Sequence, residues 1–327
     1  MRIAVDAMGG DYAPEEIVKG ALQAQKEYNY HVVLVGDKEK ISQFSGSEEI
    51  EVLHTSQIID MDESPVSAVR KKKDASIVVA TKLVKDQKVD AVVSAGSTGA
   101  QMTAALFGLG RISGIKRPAI STVLPTDKGG KVLLDSGANT DCKPENLVQF
   151  AYMGSVYAES VLGMKNPTIA LLNIGAEESK GNELTVKTYQ LLKECSQLNF
   201  IGNIEPRDIP KGLADVIVCD GFVGNTVLKL AEGLSGFLME NIKAQLMSSF
   251  RSKIGAAMVA PSLKEIKKIF DYSEYGGAPL LGVDGISVIC HGSSNAKAIK
   301  NAVRAAAVCS ENGFVERIKN IVQGEDA

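Results

Sequence analysis

DAVVSAGSTGA, residues 90–100, is the stretch whose reading decides the fold. A short apolar run, Ala91-Val92-Val93, ends at Ser94, and two glycines then frame a Ser-Thr pair. The run is apolar throughout instead of alternating, which suits a strand covered on both faces, as in a parallel sheet between helix layers. The pattern recurs in IAVDAMGGD (3–11), HVVLVGDKE (31–39), KVLLDSGANTD (131–141), TIALLNIGAEESKGN (168–182), DVIVCDGFVGN (215–225) and SVICHGSSN (287–295). Weaker strand candidates are IEVLHTS (50–56), PAISTVLPT (118–126) and LNFIGNI (198–204). Helical stretches lie between them. One begins near Pro14 with Glu15 and Glu16 in its first turn, where acids favour the helix dipole. Others cover 75–87, 144–163, 294–310 and 313–322. Strands alternating with helices predict a single α/β catalytic domain over 1–327, an α/β/α sandwich with a largely parallel, Rossmann-like sheet.

One segment departs from this pattern. Residues 223–285 read as a helical excursion that projects beyond the sheet and closes in a Gly/Tyr-rich loop, YSEYGGAPLLGVDG. Between 243 and 268 it carries Lys243, Arg251, Lys253, Lys264, Lys267 and Lys268 against the single acid Glu265. The whole chain has 36 Lys and Arg against 39 Asp and Glu, a net charge of −3, so the excursion is a basic element on an acidic body. That balance, with 5% aromatics and no Trp, argues against a nucleic-acid binder. A chain of 327 residues buries a large core without metal or disulfide staples. No apolar window reaches membrane-spanning length, and MRIAVDAMGGD reads as a strand entering a loop, not as a signal peptide. Five scattered cysteines without a C-x-x-C fit reduced thiols in a cytoplasmic protein.

In parallel α/β sheets ligands sit at the carboxyl ends of strands, where this chain concentrates glycine. Glycine lets backbone N–H groups approach an anion, and a following helix N-terminus adds partial positive charge. Gly9-Gly10, Ser97-Thr98-Gly99 and Gly137-Ala138-Asn139 are candidate walls of a phosphate site. Each loop alone reads equally as an ordinary capped turn. There is no Walker loop, no G-x-G-x-x-G after the first strand and no G-x-S-x-G elbow. Cys290 and His291 are adjacent in a strand, so they point to opposite faces and do not form a catalytic pair. With three His and no spaced Cys/His cluster, no metal site is expected. Asp6, Asp11, Asp135 and Asp220 fall near strand ends, where turn capping is the preferred account over Mg²⁺ binding. Lys180, in GAEESKGNE, is placed to neutralise an anion, and Asn225, in GFVGN, to donate to an oxyanion. A solvated loop charge and a helix cap are the plainer readings of the same two residues.

IAVDAMGGDYAPEEIVKGA, SAGSTGA, LLDSGANTDCKPENL, NIGAEESKGN, VCDGFVGNTVLK and YGGAPLLGVDG closely resemble the bacterial phosphate acyltransferases of phospholipid synthesis, over residues 1 to about 320. The resemblance implies transfer of a fatty acyl group from acyl carrier protein to inorganic phosphate, giving acyl phosphate, with no cofactor. It implies a homodimer with an isocitrate dehydrogenase-like sandwich, cytoplasmic and peripherally associated with anionic membrane. Lys180 and Asn225 carry over as catalytic candidates, with Gly9, Gly10, Ser97, Thr98, Gly99 and Asn139 around the phosphate. Arg251, Lys253, Lys264, Lys267 and Lys268 would then meet the acidic carrier protein or lipid headgroups, unless the excursion is a dimer interface with a solvated basic rim. The rivals are an acyltransferase using coenzyme A thioesters, a metal-dependent 2-hydroxyacid dehydrogenase on the same fold, and a non-catalytic membrane scaffold.

Overall fold

The computed structural model describes residues 1–269 and 276–323, apart from the side chains of 266–269 and 323. Its strands are β1 (Arg2–Asp6), β2 (His31–Gly36), β3 (Glu51–His54), β4 (Ala91–Ser94), β5 (Ala119–Thr126), β6 (Gly129–Leu134), β7 (Thr168–Leu172), β8 (Asn199–Ile204), β9 (Val216–Val218), β10 (Ala278–Leu281) and β11 (Ile286–Ile289). The helices are α1 (Glu15–Tyr28), α2 (Lys38–Ile41), α3 (Pro65–Lys71), α4 (Ser76–Lys85), α5 (Thr98–Gly108), α6 (Pro144–Ser160), α7 (Glu183–Glu194), α8 (Gly221–Leu246), α9 (Phe250–Ile269), α10 (Ala296–Glu311) and α11 (Phe314–Gln323).

All the described strands join one sheet in the order β3-β2-β1-β4-β11-β10-β5-β6-β9-β7-β8. Seven of its pairings are parallel; β11–β10, β10–β5 and β5–β6 are antiparallel. Alternate residues of the continuous apolar runs feed two cores, as a doubly covered sheet requires. Ile3 and Val5 pack with α1 and α10 in a cluster that α6 joins over β6 and β9, while Ala4, Val33 and Val35 pack with α3, α4 and α5. In the second half, Leu133, Ala170 and Ile217 pack beneath the start of α8. The expected α/β/α sandwich is thus observed, with helices on both faces of a mostly parallel sheet.

The excursion is shorter than its expected span of 223–285. It is the hairpin α8–α9, and the stretch taken as its closing loop contains β10, which pairs with both β11 and β5. Pro279 and the flanking Gly277 and Gly282 made APLL look like a turn; tertiary pairing overrides that local preference. YSEY, at 272–275, lies outside the described residues.

The crossing of α1 over α10 has no space for a side chain at Gly20. A Cβ there would lie 2.6 Å from the Ala296 carbonyl oxygen and 2.6 Å from Ile299 Cβ. Gly20→Val is expected to cost about 1–3 kcal/mol through overpacking. A urea midpoint that falls accordingly confirms the close approach, and an unchanged midpoint refutes it.

Candidate active site

The antiparallel pairings of β10 and β5 reverse the sense of the second half of the sheet. The carboxyl ends of β1, β4 and β11 therefore form one rim, and those of β6, β9 and β7 form the opposite one. The residues expected to line a single phosphate site are divided between them. Gly9, Gly10, Ser97, Thr98 and Gly99 belong to the first rim, and Asn139, Lys180 and Asn225 to the second. Placing all the glycine-ended strand ends around one cleft merged two rims into one.

At the first rim the glycines serve loop packing. A Cβ on Gly9 would come within 2.7 Å of the Gly96 amide nitrogen, so the loops after β1 and β4 touch through their backbones. Gly10 has φ +113°, open to glycine with little strain, and the Asp11 N–H donates to the Gly292 carbonyl at 2.8 Å. Gly99 is held small by Pro65, whose Cγ lies 2.6 Å from the Cβ position. Ser97 caps α5, accepting from the Ala100 N–H at 3.4 Å, and Thr98 is the exposed first residue of that helix. Asp6 is buried between these loops, accepting from the Ser94 hydroxyl at 2.7 Å and the Met8 N–H at 3.1 Å. The adjoining cavity, of about 10 Å³, holds at most one water.

The second rim is organised by Asp135. One carboxylate oxygen accepts from the N–H groups of Ile120, Gly137 and Ala138 at 3.0, 3.1 and 3.0 Å. The other accepts from the Asn139 N–H at 2.7 Å and its Nδ2 at 2.8 Å. Burial pushes this carboxyl above its usual value, and the donors pull it back down. The amides expected to cradle phosphate at 137–139 are thus filled by the protein's own carboxylate. Asn139 also donates Nδ2 to the Pro118 carbonyl at 2.7 Å, so its amide hydrogens hold the loop and are not free for an anion.

Asn225 and Lys180 belong to neighbouring strand ends, since β9 and β7 pair in parallel. Asp220, not Asn225, caps α8, accepting from the Val223 N–H at 2.9 Å. That leaves Asn225 exposed over Gly137, whose Cβ position lies 3.6 Å from the Asn225 side chain. Lys180 is exposed in the loop after β7. Asn173 fastens that loop by donating to the Lys180 carbonyl at 2.9 Å, and the Lys180 ammonium has no ion pair among the described residues. Of the strand-end acids, Asp6, Asp135 and Asp220 accept backbone N–H groups, as the capping account expects, whereas the Asp11 carboxylate accepts none among the described residues.

Beside the 139–143 loop opens a cavity of about 490 Å³, lined by Lys116, Arg117, Asp141, Cys142, Lys143 and Asn146. Sequence reasoning passed over it. Its only signal was a basic residue before each of two prolines, Arg117-Pro118 and Lys143-Pro144. Burial and the nearby Asp135 and Asp220 push the Cys142 thiol up to about 12. Burial also raises Cys290 and Cys309 to about 12 and holds Cys219 well above its usual value. These four remain protonated thiols near neutral pH and are not activated nucleophiles. No cluster of three or more His, Cys, Asp or Glu able to hold a metal occurs among the described residues.

Residues 1–317 match a protein family described as "Fatty acid synthesis protein". A phosphate acyltransferase of Desulfitobacterium hafniense (strain Y51) is 61% identical over 324 residues, covering 98% of this chain and 96% of the relative. The fold is shared with a phosphotransacetylase from Streptococcus pyogenes, at TM-score 0.64 and 17% identity over 95% of this chain and 94% of that one. It is shared too with 4-hydroxythreonine-4-phosphate dehydrogenase from Klebsiella pneumoniae, at TM-score 0.55 and 13% identity over 94% and 99%. Fold and relatives together define an enzyme of the acyltransferase class on a Rossmann-like sandwich. Within that class, the chain belongs to the phosphate acyltransferase family, whose setting is fatty acid synthesis.

The buried Asp6 makes a pH prediction. Burial raises its carboxyl above the ordinary value of 3.8, against the pull of Ser76, Ser94 and backbone donors. The folded chain therefore holds this proton more tightly than the unfolded one, and stability falls as pH rises past 3.8 toward the folded value. Asp6→Asn removes that slope, so the variant should gain on the wild type as pH rises above 3.8 in urea titrations. Parallel stability curves would refute it.

Proposed function

We propose that this enzyme transfers a fatty acyl group from acyl carrier protein to inorganic phosphate, releasing acyl phosphate for phospholipid synthesis. The observation that carries this reading is the match, along nearly the whole chain, to phosphate acyltransferases. The second rim is consistent with it. A phosphate oxygen attacks the thioester carbonyl carbon, the C–S bond breaks, and the thiolate leaves with the electron pair. The proton carried by hydrogen phosphate ends on the released thiol. Phosphate is itself the nucleophile, so the protonated cysteines are no obstacle. The enzyme's work is to hold two anionic partners in line, where orientation supplies several kcal/mol.

Lys180 offsets the charge of the incoming phosphate, and the Asn225 amide donates to the oxyanion as it forms. The two sit on adjacent strand ends, at the rim where the carbonyl would lie. Gly9, Gly10, Ser97, Thr98, Gly99 and Asn139 are assigned to loop packing and capping, with no contact to phosphate.

The α8–α9 hairpin supports the partner assignments. Leu230, Leu234, Phe237, Leu238 and Ile242 repeat at helical spacing along α8, and all are exposed, Phe237 by 61%. A stripe of this kind is the face of a homodimer. On α9, Arg251, Lys253 and Lys264 are exposed and would steer the acidic carrier protein or meet anionic lipid at a peripheral membrane contact. The side chains of Lys267 and Lys268, expected to join them, lie outside the described residues. No helix among the described residues is long and apolar enough to cross a membrane.

Lys180→Ala should lower turnover by about 10²–10³ with an unchanged thermal midpoint. Near-normal turnover would remove Lys180 from the mechanism. Purified enzyme given acylated carrier protein and phosphate should yield a hydroxamate when acyl phosphate is trapped with hydroxylamine, and far less from acyl-coenzyme A at equal concentration. An acyl group isolated on a cysteine or serine of the enzyme defeats direct attack.

A further inference from the structure

The cavity beside the 139–143 loop is not used by the mechanism above. Lys116 and Arg117 reach it from the segment entering β5, and Lys143 and Asn146 from the N-terminus of α6. None of Lys116, Arg117 and Lys143 makes an ion pair among the described residues, and all three are exposed. Asp141 is the one acid in the lining, so the wall carries a net charge of about +2 at neutral pH. Glu145, in the first turn of α6, is not part of that lining.

Asn146 supplies an independent observation. It is only 5% exposed, and its Oδ1 accepts the Lys143 N–H at 2.9 Å. That bond fixes the other terminal atom as the amino group, whose hydrogens find no acceptor among the described residues although the residue lines the cavity. The amino group is open to solvent at the cavity, so a bound anion would take the place of water as its acceptor. The helix adds its own partial charge. Lys143 occupies the cap position of α6 and brings no side-chain acceptor of its own, so the 17-residue helix adds its partial positive charge beside the same space.

We propose that this cavity binds a phosphate group carried on an organic arm, the phosphopantetheine arm of the thioester donor. This rests on the function proposed above. The size favours an arm over a free ion. A water's share of liquid volume is about 30 Å³, so a five-atom oxyanion leaves most of 490 Å³ empty, whereas small organic ligands occupy sites of about 300–1,000 Å³. The position favours it too. The 137–143 loop bears the cavity at one end and Gly137, beneath Asn225, at the other. An arm anchored by its phosphate at Arg117 and Lys143 could extend its thioester end along the loop toward Asn225. Arg117 matches a phosphate by paired N–H donation, and Lys143 adds a point charge.

The test is calorimetric titration of the full chain with pantetheine 4′-phosphate, pantetheine and inorganic phosphate, comparing wild type with Arg117→Gln/Lys143→Gln. Both residues are exposed, and the thermal midpoint should not move. The ester should bind the wild type and lose about tenfold or more in affinity in the double variant, with pantetheine equally weak on both. If inorganic phosphate alone loses affinity, the arm is overturned in favour of the free ion at the same cations. If the ester and inorganic phosphate each bind both proteins equally, or neither binds the wild type, the site itself is overturned. Because the readout is binding, a wild type that takes the ester but makes no acyl phosphate would sink the proposed function and leave this site standing.

Discussion

The second rim depends on one buried carboxylate. Asp135 ends β6 with five N–H donors on its two oxygens. Its backbone N–H donates to the Cys219 carbonyl at 3.0 Å, joining the ends of β6 and β9. The Asn139 carbonyl, held by the same cluster, accepts the Gly221 N–H at 2.7 Å and so fixes where α8 begins. One turn on, α8 passes so close to the Asp135 carbonyl that a Cβ on Gly224 would collide with its oxygen. Removing a carboxylate from water is expensive, and a full set of donors is what offsets it. The chain spends its best anion-binding backbone on an internal anion, which gives Asn225 a rigid seat over Gly137.

A second constraint follows from the direction of the strands. A fully parallel sheet would place every strand-end loop along one edge. Three antiparallel pairings turn the second half over, so the loops of the two halves face apart. Helix α8 reconnects them. It starts at the second rim, and eight residues later, about 12 Å along its axis, Lys229 lies 3.4 Å from His291 on the first. Loop packing at the first rim thereby braces the helix whose other end carries Asn225. Beyond that point α8 leaves the sheet and exposes its apolar stripe, so one helix links the candidate chemistry to the surface that would meet a partner.

The fold was largely legible because continuous apolar strands between amphipathic helices leave few alternatives. The seven glycine-ended runs all became strands, as did the three weaker candidates. β10 was hidden, since Pro279 and its flanking glycines obey turn chemistry and only its neighbours on both sides make it a strand. That single omission had a large consequence, because β10 sets the reversal and hence the division of the expected site. Asp135 was visible as a capping acid, but five donors converging from β5 and the 137–139 loop is a tertiary fact. The basic cavity was illegible for a similar reason: Lys116 and Arg117 lie far from Lys143 in sequence and meet it only because β5 begins beside the end of β6.

Charge placement separates cations that hold the fold from cations left available. Lys131 is 7% exposed, and its ammonium is committed to Asp215 at 2.6 Å, which in turn holds Thr168; that lysine is structural. Lys116, Arg117, Lys143 and Lys180 belong to the same half of the sheet but have no such partner among the described residues, on a chain whose net charge is −3. An acidic protein repels phosphate at long range, and local cations must reverse that field where the anion enters. The reaction proposed for this enzyme brings an anionic nucleophile to a donor that is itself tethered to an acidic protein. Its barrier therefore contains electrostatic repulsion that neither a cysteine nor a serine would relieve. A rim that keeps its cysteines protonated and leaves lysine and arginine uncommitted is built to remove that repulsion.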